Sequence, residues 1–354
     1  MTRDPEISEE KQSDGAVTFF LLTFPWQGGW PKMTSLERMA AEMQSGRDSG
    51  GWGGGGGTGA GGVGRGRGRG GFGPVGRGRG GHVGAGSPAL LTSLIKKAST
   101  VEALFQTCSA HEQHMNHIHL SACWNSLGHL ARTAAHPWCQ AHAPALESLM
   151  QHTTAIVSTS SQITHRELAN IAHGVAKSGQ GSSMVPLMTA LARAIQSRLG
   201  ACNAQELANV AWAFAKAGHL DAELFSGLAR AAEHCLDKFK PQELANTAWA
   251  FATAGHSDAQ LFHALAQIVA QRLDDFIMQG LANTAWAFAK AGYFDGPLFG
   301  AMAKVAEQRL GDCNAQDLAN IAWAYAKLGL FDAQLFSALA GSTERQLDRF
   351  NAQV

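Results

Sequence analysis

A short sequence that returns at a fixed interval constrains the fold of this chain more than any other feature. LANVAWAFAKAG, at Leu207–Gly218, recurs almost unchanged from Leu244, Leu281 and Leu318, so that successive copies are 37 residues apart. A looser copy, LANIAHGVAKSG, begins at Leu168, 39 residues before Leu207. A fixed period between about 20 and 50 residues indicates a repeat architecture, in which each unit buries its apolar face against its neighbours.

Each copy predicts a helix, a turn and a second helix. The first helix, Gln205–Ala217 in one copy, is followed by a glycine, which is the residue expected just past a helix C-terminus. These glycines are Gly218, Gly255, Gly292 and Gly329. An aspartate then precedes a second apolar run and is expected to cap its N-terminus. These aspartates are Asp221, Asp258, Asp295 and Asp332. Stacked hairpins of this length predict an all-α fold, a right-handed α-solenoid of helical hairpin repeats of 37 residues each.

Changes in composition divide the chain into four predicted segments. Residues 50–87 are rich in Gly and Arg and are expected to form a disordered linker, since such sequence cannot bury enough surface to order itself. Residues 1–49 are expected to be an N-terminal segment that is either a targeting segment or begins at a misassigned start, because Met33 offers a second start that would exclude residues 1–32. Residues 88–162 are predicted to form degenerate N-terminal helical repeats. Residues 163–354 are predicted to form the α-helical repeat array, which we expect to be truncated at its C-terminal end.

The linker carries a first candidate RNA contact. Its arginines alternate with glycines in GRGRGRGGFG and GRGRGG. Guanidinium groups pair with phosphates and stack on bases, and glycine lets the backbone follow a single strand. Weak, salt-sensitive and non-specific binding to single-stranded RNA is therefore expected, the alternative being a linker without a binding role. The arginines concerned are Arg65, Arg67, Arg69, Arg77 and Arg79.

A second candidate contact lies on the first helix of each repeat. On a helical wheel at about 100° per residue, Leu207, Ala211 and Phe214 fall on one side. Asn209, Trp212 and Lys216, together with Ala213, fall roughly opposite, and we call the recurring polar and aromatic positions the Asn–Trp–Lys stripe. In the other copies the stripe is Asn246–Trp249–Thr253, Asn283–Trp286–Lys290, Asn320–Trp323–Lys327 and, in the looser copy, Asn170–His173–Lys177.

Two interpretations of the stripe remain open from the sequence. In one, lysine binds phosphate, asparagine binds base edges or ribose, and tryptophan stacks on bases. In the other, tryptophan belongs to the core and asparagine forms a hydrogen bond between repeats, because a buried amide must be satisfied. Lysine does not suit a core, so the lysines predict a basic row in either case.

Selectivity among RNA sequences would require positions that vary from repeat to repeat. One such column is Ile171, Val210, Thr247, Thr284 and Ile321, and a second, in the turn, is His219, His256, Tyr293 and Leu330. We expect any base selectivity in these columns.

The sequence predicts neither an enzyme nor a cofactor or metal site. It contains no paired acids and no nucleophile with an obvious base, and the GxGxxG-like matches fall only in the Gly-rich segment. The histidine-rich part, including His111, His114, His117 and His119, is interpreted as solvated or hydrogen-bonded rather than as a zinc site. The cysteines lack a C-x-x-C pair and are expected to be reduced. No apolar run is long enough for a bilayer, so no membrane association is expected.

From Pro88 onward the chain resembles the octotricopeptide and heptatricopeptide (PPPEW-type) repeat proteins, which include algal chloroplast translation factors and have RAP-domain proteins as close relatives. The resemblance rests on LANTAWAFAKAG-type first helices, the repeat period, and the leader LLTSLIKKASTVEALFQTCSAHEQHMNHIHLSACWNSLGHLA. It implies α-helical repeats that bind organelle transcripts and control their stability, processing or translation. The chain departs from the pattern in having nearly uniform repeats and no RAP domain, so nuclease-like activity is not carried over.

The expected function is therefore RNA binding in post-transcriptional control of organelle RNA. The expected partners are single-stranded RNA and other proteins of an RNA-processing or translation complex. The resemblance implies the chloroplast, with the mitochondrion as the alternative, although the acidic residues 1–14 are not typical of a transit peptide. The alternative function is a protein–protein interaction scaffold of the α-solenoid type, which the zero net charge of the chain favours.

Overall fold

Paired helices follow one another through the whole of the chain that the structure describes. The computed structural model describes residues 88–134, 138–179 and 184–351, which contain fifteen α-helices and no strand. In chain order these are α1 (Pro88–Lys97), α2 (Val101–His111), α3 (His117–Leu130), α4 (Trp138–Ala141), α5 (Ala143–Thr159), α6 (His165–Ser178), α7 (Val185–Gln196), α8 (Ala204–Lys216), α9 (Ala222–Glu233), α10 (Pro241–Ala254), α11 (Ala259–Gln271), α12 (Met278–Ala291), α13 (Gly296–Arg309), α14 (Ala315–Lys327) and α15 (Ala333–Asn351). The predicted all-α fold is confirmed. The segments predicted at 1–49 and 50–87 lie outside the described residues.

The helices alternate between two layers. The first-helix layer contains α1, α3, α6, α8, α10, α12 and α14, and the second-helix layer contains α2, α5, α7, α9, α11, α13 and α15. Each helix packs against its predecessor and its successor in the same layer, which is the arrangement of an α-solenoid. Packing is closer in the first-helix layer, where small residues such as Ala208, Ala211 and Ala215 are buried at the contacts.

Residues at the helix ends explain why the hairpins form where they do. The Asp221 carboxylate accepts a hydrogen bond from the Leu224 backbone N–H at 2.9 Å, and Asp258, Asp295 and Asp332 cap their helices in the same way. Such caps stabilise a helix by about 1 kcal/mol each. All four predicted aspartate caps are confirmed.

The glycines that follow the first helices adopt left-handed backbone conformations. Gly218 has φ of 67°, and Gly255, Gly292 and Gly329 lie within a few degrees of it. Residues with a Cβ rarely adopt this conformation, which is why glycine is needed where the chain turns from the first helix to the second. Gly179 does the same after α6, with φ of 74°.

An aromatic contact joins each regular unit to the next. Phe225 of α9 meets Phe251 of α10 edge-on, with ring centroids 5.3 Å apart, and Phe262 of α11 meets Phe288 of α12 at the same distance. Phe225, Phe251, Phe262 and Phe288 are all fully buried, and each such pair adds about 1 kcal/mol to the free energy of burial. The core is therefore continuous through the array.

The first helices are more deeply buried than the helical wheel predicted. Ala213, which the wheel places beside Trp212 and Lys216, has no exposed surface. The reason is that α8 is enclosed by three helices, α6, α10 and α9, rather than packed on one side. Only a narrow strip of its surface, containing Asn209, Trp212 and Lys216, remains partly exposed.

A close approach of two helices marks the N-terminal part of the array. Trp124 of α3 is fully buried, and its Nε1–H donates a hydrogen bond to Thr153 Oγ1 of α5 at 2.9 Å. Gly174 of α6 lies directly against the Trp124 backbone, so that a Cβ at this position would lie 2.3 Å from the Trp124 carbonyl oxygen. This contact depends on the absence of a side chain at position 174.

Among the described residues, no helix is long and apolar enough to cross a membrane.

Candidate nucleic-acid interface

The Asn–Trp–Lys stripe forms a strip along the first-helix layer, because the same helical positions return on α6, α8, α10, α12 and α14. Most of its side chains are partly exposed. Two are buried: Trp286 and Asn320 each retain 4% of their surface. The stripe is thus a partly solvated seam between packed helices rather than a row of free side chains.

The aromatic rings of the stripe contact one another across helices. The centroid of the His173 ring lies 5.1 Å from that of Trp212, and Trp212 lies 6.5 Å from Trp249. The Trp286 and Trp323 centroids are 5.9 Å apart. These distances are typical of favourable aromatic pairs, so the rings bind neighbouring units together. The Nε1–H of Trp286 is buried and has no hydrogen-bond partner within the described residues.

One pair of stripe asparagines joins two repeats. The Asn320 Nδ2 donates a hydrogen bond to Asn283 Oδ1 at 3.1 Å. This is the inter-repeat hydrogen bond that one of the two interpretations of the sequence required. The remaining asparagines of the stripe, Asn170, Asn209 and Asn246, are partly exposed.

The lysines give the stripe its charge. Lys177, Lys216, Lys290 and Lys327 all lie in the last turn of a first helix and are partly exposed. A cation there also interacts favourably with the helix C-terminus. The lysines lie on α6, α8, α12 and α14, so that the row spans four intervals between neighbouring first helices. Since packed helices lie about 8–10 Å apart, the row extends over roughly 40 Å. Thr253 interrupts the row at the equivalent position of α10, and its Oγ1 is buried without a hydrogen-bond partner in the described structure.

A histidine of α3, which the sequence did not single out, lies beside Lys177 but does not extend the basic row, because its pKa is lowered. If the N-caps Asn116 and Thr164 are aligned, His129 falls at the position of Lys177. Burial lowers the pKa of His129, and the nearby charges of Lys177 and Arg132 lower it further. Burial also lowers the pKa of His173 to about 4, helped by Lys177 and His129. His129, His173 and Lys177 therefore lie close together. Alignment of the N-caps is the sequence signal that could have placed His129 beside the stripe.

The structure corrects one expectation about selectivity. The variable column Ile171, Val210, Thr247, Thr284 and Ile321 is buried throughout, with at most 2% of any side chain exposed. The column therefore has no access to a ligand. The turn column is partly exposed, but His219, His256 and Tyr293 rest on phenylalanines of the core.

Histidines outside the stripe serve mainly as hydrogen-bond partners. The His117 Nδ1 lies 2.8 Å from Glu167 Oε2, and the His119 Nδ1 accepts a hydrogen bond from the Asn116 backbone N–H at 3.1 Å. His165 pairs in the same way with Glu206, at 2.7 Å. The candidate arginines Arg65, Arg67, Arg69, Arg77 and Arg79 lie outside the described residues.

Comparison with known proteins places the array in a family. A family model described as RNA-editing substrate-binding complex 6 protein matches residues 144–354, which is more than half of the chain. The matched region contains every position of the stripe. A search of curated proteins found no match.

Proposed function

The chain belongs to the RNA-editing substrate-binding complex 6 protein family, and from that premise we propose that it binds single-stranded RNA along its first-helix layer. The description of the family as part of a substrate-binding complex supports a role within an assembly that contains RNA and other proteins. The proposed role is binding and positioning of RNA, without catalysis by this chain. Post-transcriptional control of RNA, such as stabilisation, processing or translation, is the process to which such binding would contribute.

The observation that carries this proposal is the basic row. Lys177, Lys216, Lys290 and Lys327 repeat in one helical position on partly exposed surface. Flexible single strands can follow such a row, whereas an A-form duplex would require a rigid match of its groove to the protein. The adjacent asparagines and partly exposed tryptophans Trp212, Trp249 and Trp323 offer hydrogen bonds and ring surface to the same strand.

The organelle and the repeat class are part of the proposal. The resemblance to octotricopeptide repeat proteins supports the chloroplast, with the mitochondrion as the alternative. Fractionation of cells against markers of both organelles tests this choice. The uniform stripe supports binding that depends little on base identity, because a residue that is the same in every unit cannot distinguish one base from another.

Salt-dependent binding tests the proposal directly. The full chain is expected to bind single-stranded RNA with a slope of log K against log salt of about −6, since nine phosphate contacts would contribute about −0.7 each. The nine contacts are the four lysines of the row and the five arginines of the linker. The measurement is a fluorescence-anisotropy titration at several salt concentrations. Absence of binding at low salt, by protein whose helical circular dichroism is intact, contradicts the proposal.

Filling the gap in the basic row should strengthen binding. Thr253→Lys is expected to raise the RNA affinity about fivefold at 0.1 M salt and to make the salt slope steeper by about 0.7, because it adds one phosphate contact. The buried hydroxyl that is lost has no hydrogen-bond partner in the described structure, so little stability is lost with it. Thr253→Gln, of similar length but uncharged, is the control. Equal affinities for the two variants would show that the row does not contact phosphate.

A protein-interaction scaffold remains the second candidate because of a row of exposed apolar side chains. Leu220, Phe294 and Phe331 occupy one position of the turn between first and second helix, and each is more than half exposed. Exposed aromatic residues of this kind are typical of protein-binding surfaces. If Phe294→Ser and Phe331→Ser together release co-purifying proteins and leave RNA affinity unchanged, the scaffold function is favoured.

A further inference from the structure

Three side chains with metal-binding atoms meet at the junction between α6 and α8. His165 is the first residue of α6, Cys202 follows the 3-10 turn Leu199–Ala201, and Glu206 lies in the first turn of α8. One donor atom from each side chain lies within 4.8 Å of the other two. The His165 Nδ1 and Glu206 Oε2 are 2.7 Å apart. The carboxylate is almost fully buried, with 8% of its side chain exposed, while the imidazole and thiol are partly exposed.

Packing of the repeats does not require these three residues together. At the preceding junction, His117 and Glu167 form the same pair, but Ile163 stands where Cys202 does. The three later junctions are those of α8 with α10, α10 with α12, and α12 with α14. In the order of the His165, Cys202 and Glu206 positions, their residues are Ala204, Phe239 and Glu243; Pro241, Phe276 and Gly280; and Met278, Cys313 and Asp317. Phenylalanine fills the cysteine position at two of these junctions and is buried there. Among the described junctions, only that of α6 and α8 therefore presents imidazole nitrogen, sulfur and carboxylate oxygen at once.

We propose that His165, Cys202 and Glu206 bind a divalent transition-metal ion, with zinc as the best match to the donor set. Zinc accepts nitrogen, sulfur and oxygen ligands in one tetrahedral site, whereas calcium and magnesium favour oxygen alone. Binding of the ion releases the proton of the Cys202 thiol to solvent, and the resulting thiolate and the Glu206 carboxylate together neutralise the charge of the ion. A water molecule completes the tetrahedron on the solvent side, where His165 and Cys202 are partly exposed.

The distances require only small side-chain movements. Zinc bonds of about 2.0–2.3 Å place tetrahedral donors roughly 3.5 Å apart. The ion would therefore separate the His165 and Glu206 donors slightly and draw the Cys202 sulfur inward. His165 belongs to one repeat and the other two ligands to the next, so the ion would link two neighbouring units of the array. This link is independent of the proposed RNA binding.

Cobalt is a suitable probe because it occupies zinc sites and reports its ligands spectroscopically. The full chain, treated with a chelator and then titrated with Co²⁺, is expected to bind one ion per chain. A near-ultraviolet charge-transfer band from thiolate to cobalt should appear and should be lost when one equivalent of Zn²⁺ is added. Cys202→Ala should abolish this band, and His165→Ala should weaken Co²⁺ binding at least tenfold.

Cys313→Ala provides the matched control. Cys313 also precedes a capping-box carboxylate, Asp317, by four residues, but Met278 replaces the histidine at its junction. This variant should keep the full band. The proposal is overturned if the wild-type chain shows no thiolate-to-cobalt band, or if the band survives Cys202→Ala. Circular dichroism of each variant establishes that loss of the band is not loss of the fold.

Discussion

Replacement of the four stripe lysines by glutamine is expected to weaken binding of single-stranded RNA by roughly 600-fold at 0.1 M salt. The variant is K177Q/K216Q/K290Q/K327Q. Each contact with a phosphate releases counterions, and its contribution to log K is about −0.7 times log salt, or a factor of about five at 0.1 M. Four such factors multiply if the contacts are independent. Glutamine retains part of the aliphatic stem, so the packing of these partly buried side chains is largely preserved.

The salt slope separates loss of phosphate contacts from other causes. It should fall in magnitude by about 3 for the quadruple variant, because four contacts are removed. The linker arginines are unchanged and should sustain weak residual binding. A loss of affinity without a change in slope would mean that the substitutions act through the fold.

A control with the same change of net charge is available in the chain. Lys96, Lys97, Lys238 and Lys304 are exposed and lie outside the stripe, on α1, in a 3-10 turn and on α13. Their replacement by glutamine should reduce the RNA affinity no more than about tenfold. At 0.1 M salt, the attraction between an exposed lysine and a phosphate is largely screened beyond about 10 Å. Equal losses for both quadruple variants would refute the basic row as the binding surface and would indicate attraction by overall charge.

Local signals in the sequence were sufficient to predict the hairpins. Asp221 and its equivalents cap helices through atoms three residues away, and Gly218 and its equivalents need a left-handed conformation whatever surrounds them. Neither feature depends on distant parts of the chain. The repeat period then implied stacking, because such a hairpin cannot bury its apolar face alone.

The environment of the stripe could not be predicted in the same way. Whether Trp286 faces solvent or a neighbouring helix depends on how far the first helices approach each other, which the sequence of one helix does not determine. The approach is close enough to bury Trp286 and Asn320, and to leave Trp212 and Trp323 partly exposed. Pairs such as His117 with Glu167 were missed for the same reason, since their partners are 50 residues apart.

Gly174 shows how a contact between helices can reverse an expectation based on sequence. Alanine occupies the equivalent position in the regular repeats, at Ala213, Ala250, Ala287 and Ala324. Replacement of a helical glycine by alanine normally stabilises a helix by about 1 kcal/mol. From the sequence alone, Gly174→Ala would therefore be expected to stabilise the protein.

The structure predicts the opposite, a loss of about 2 kcal/mol of unfolding free energy, as is typical of overpacked cores. A Cβ on Gly174 would lie 2.3 Å from the Trp124 carbonyl oxygen and 2.4 Å from the carbonyl carbon. Both are backbone atoms within a helix and cannot rotate away. To remove the overlap α3 and α6 must move apart, which disturbs the fully buried Trp124 and its hydrogen bond to Thr153.

Urea unfolding followed by circular dichroism measures the change, and hydrogen exchange in α3 and α6 locates it. Gly200→Ala is the control, because nothing lies within 4 Å of a Cβ added at Gly200. That variant should unfold at the same urea concentration as the wild type or slightly above it. In Gly174→Ala, exchange should accelerate first in α3 and α6, since repeats are stabilised mainly by their immediate neighbours. An unchanged or raised midpoint for Gly174→Ala would show that α3 and α6 are not held at this distance, because alanine would then be accommodated as it is at Ala213.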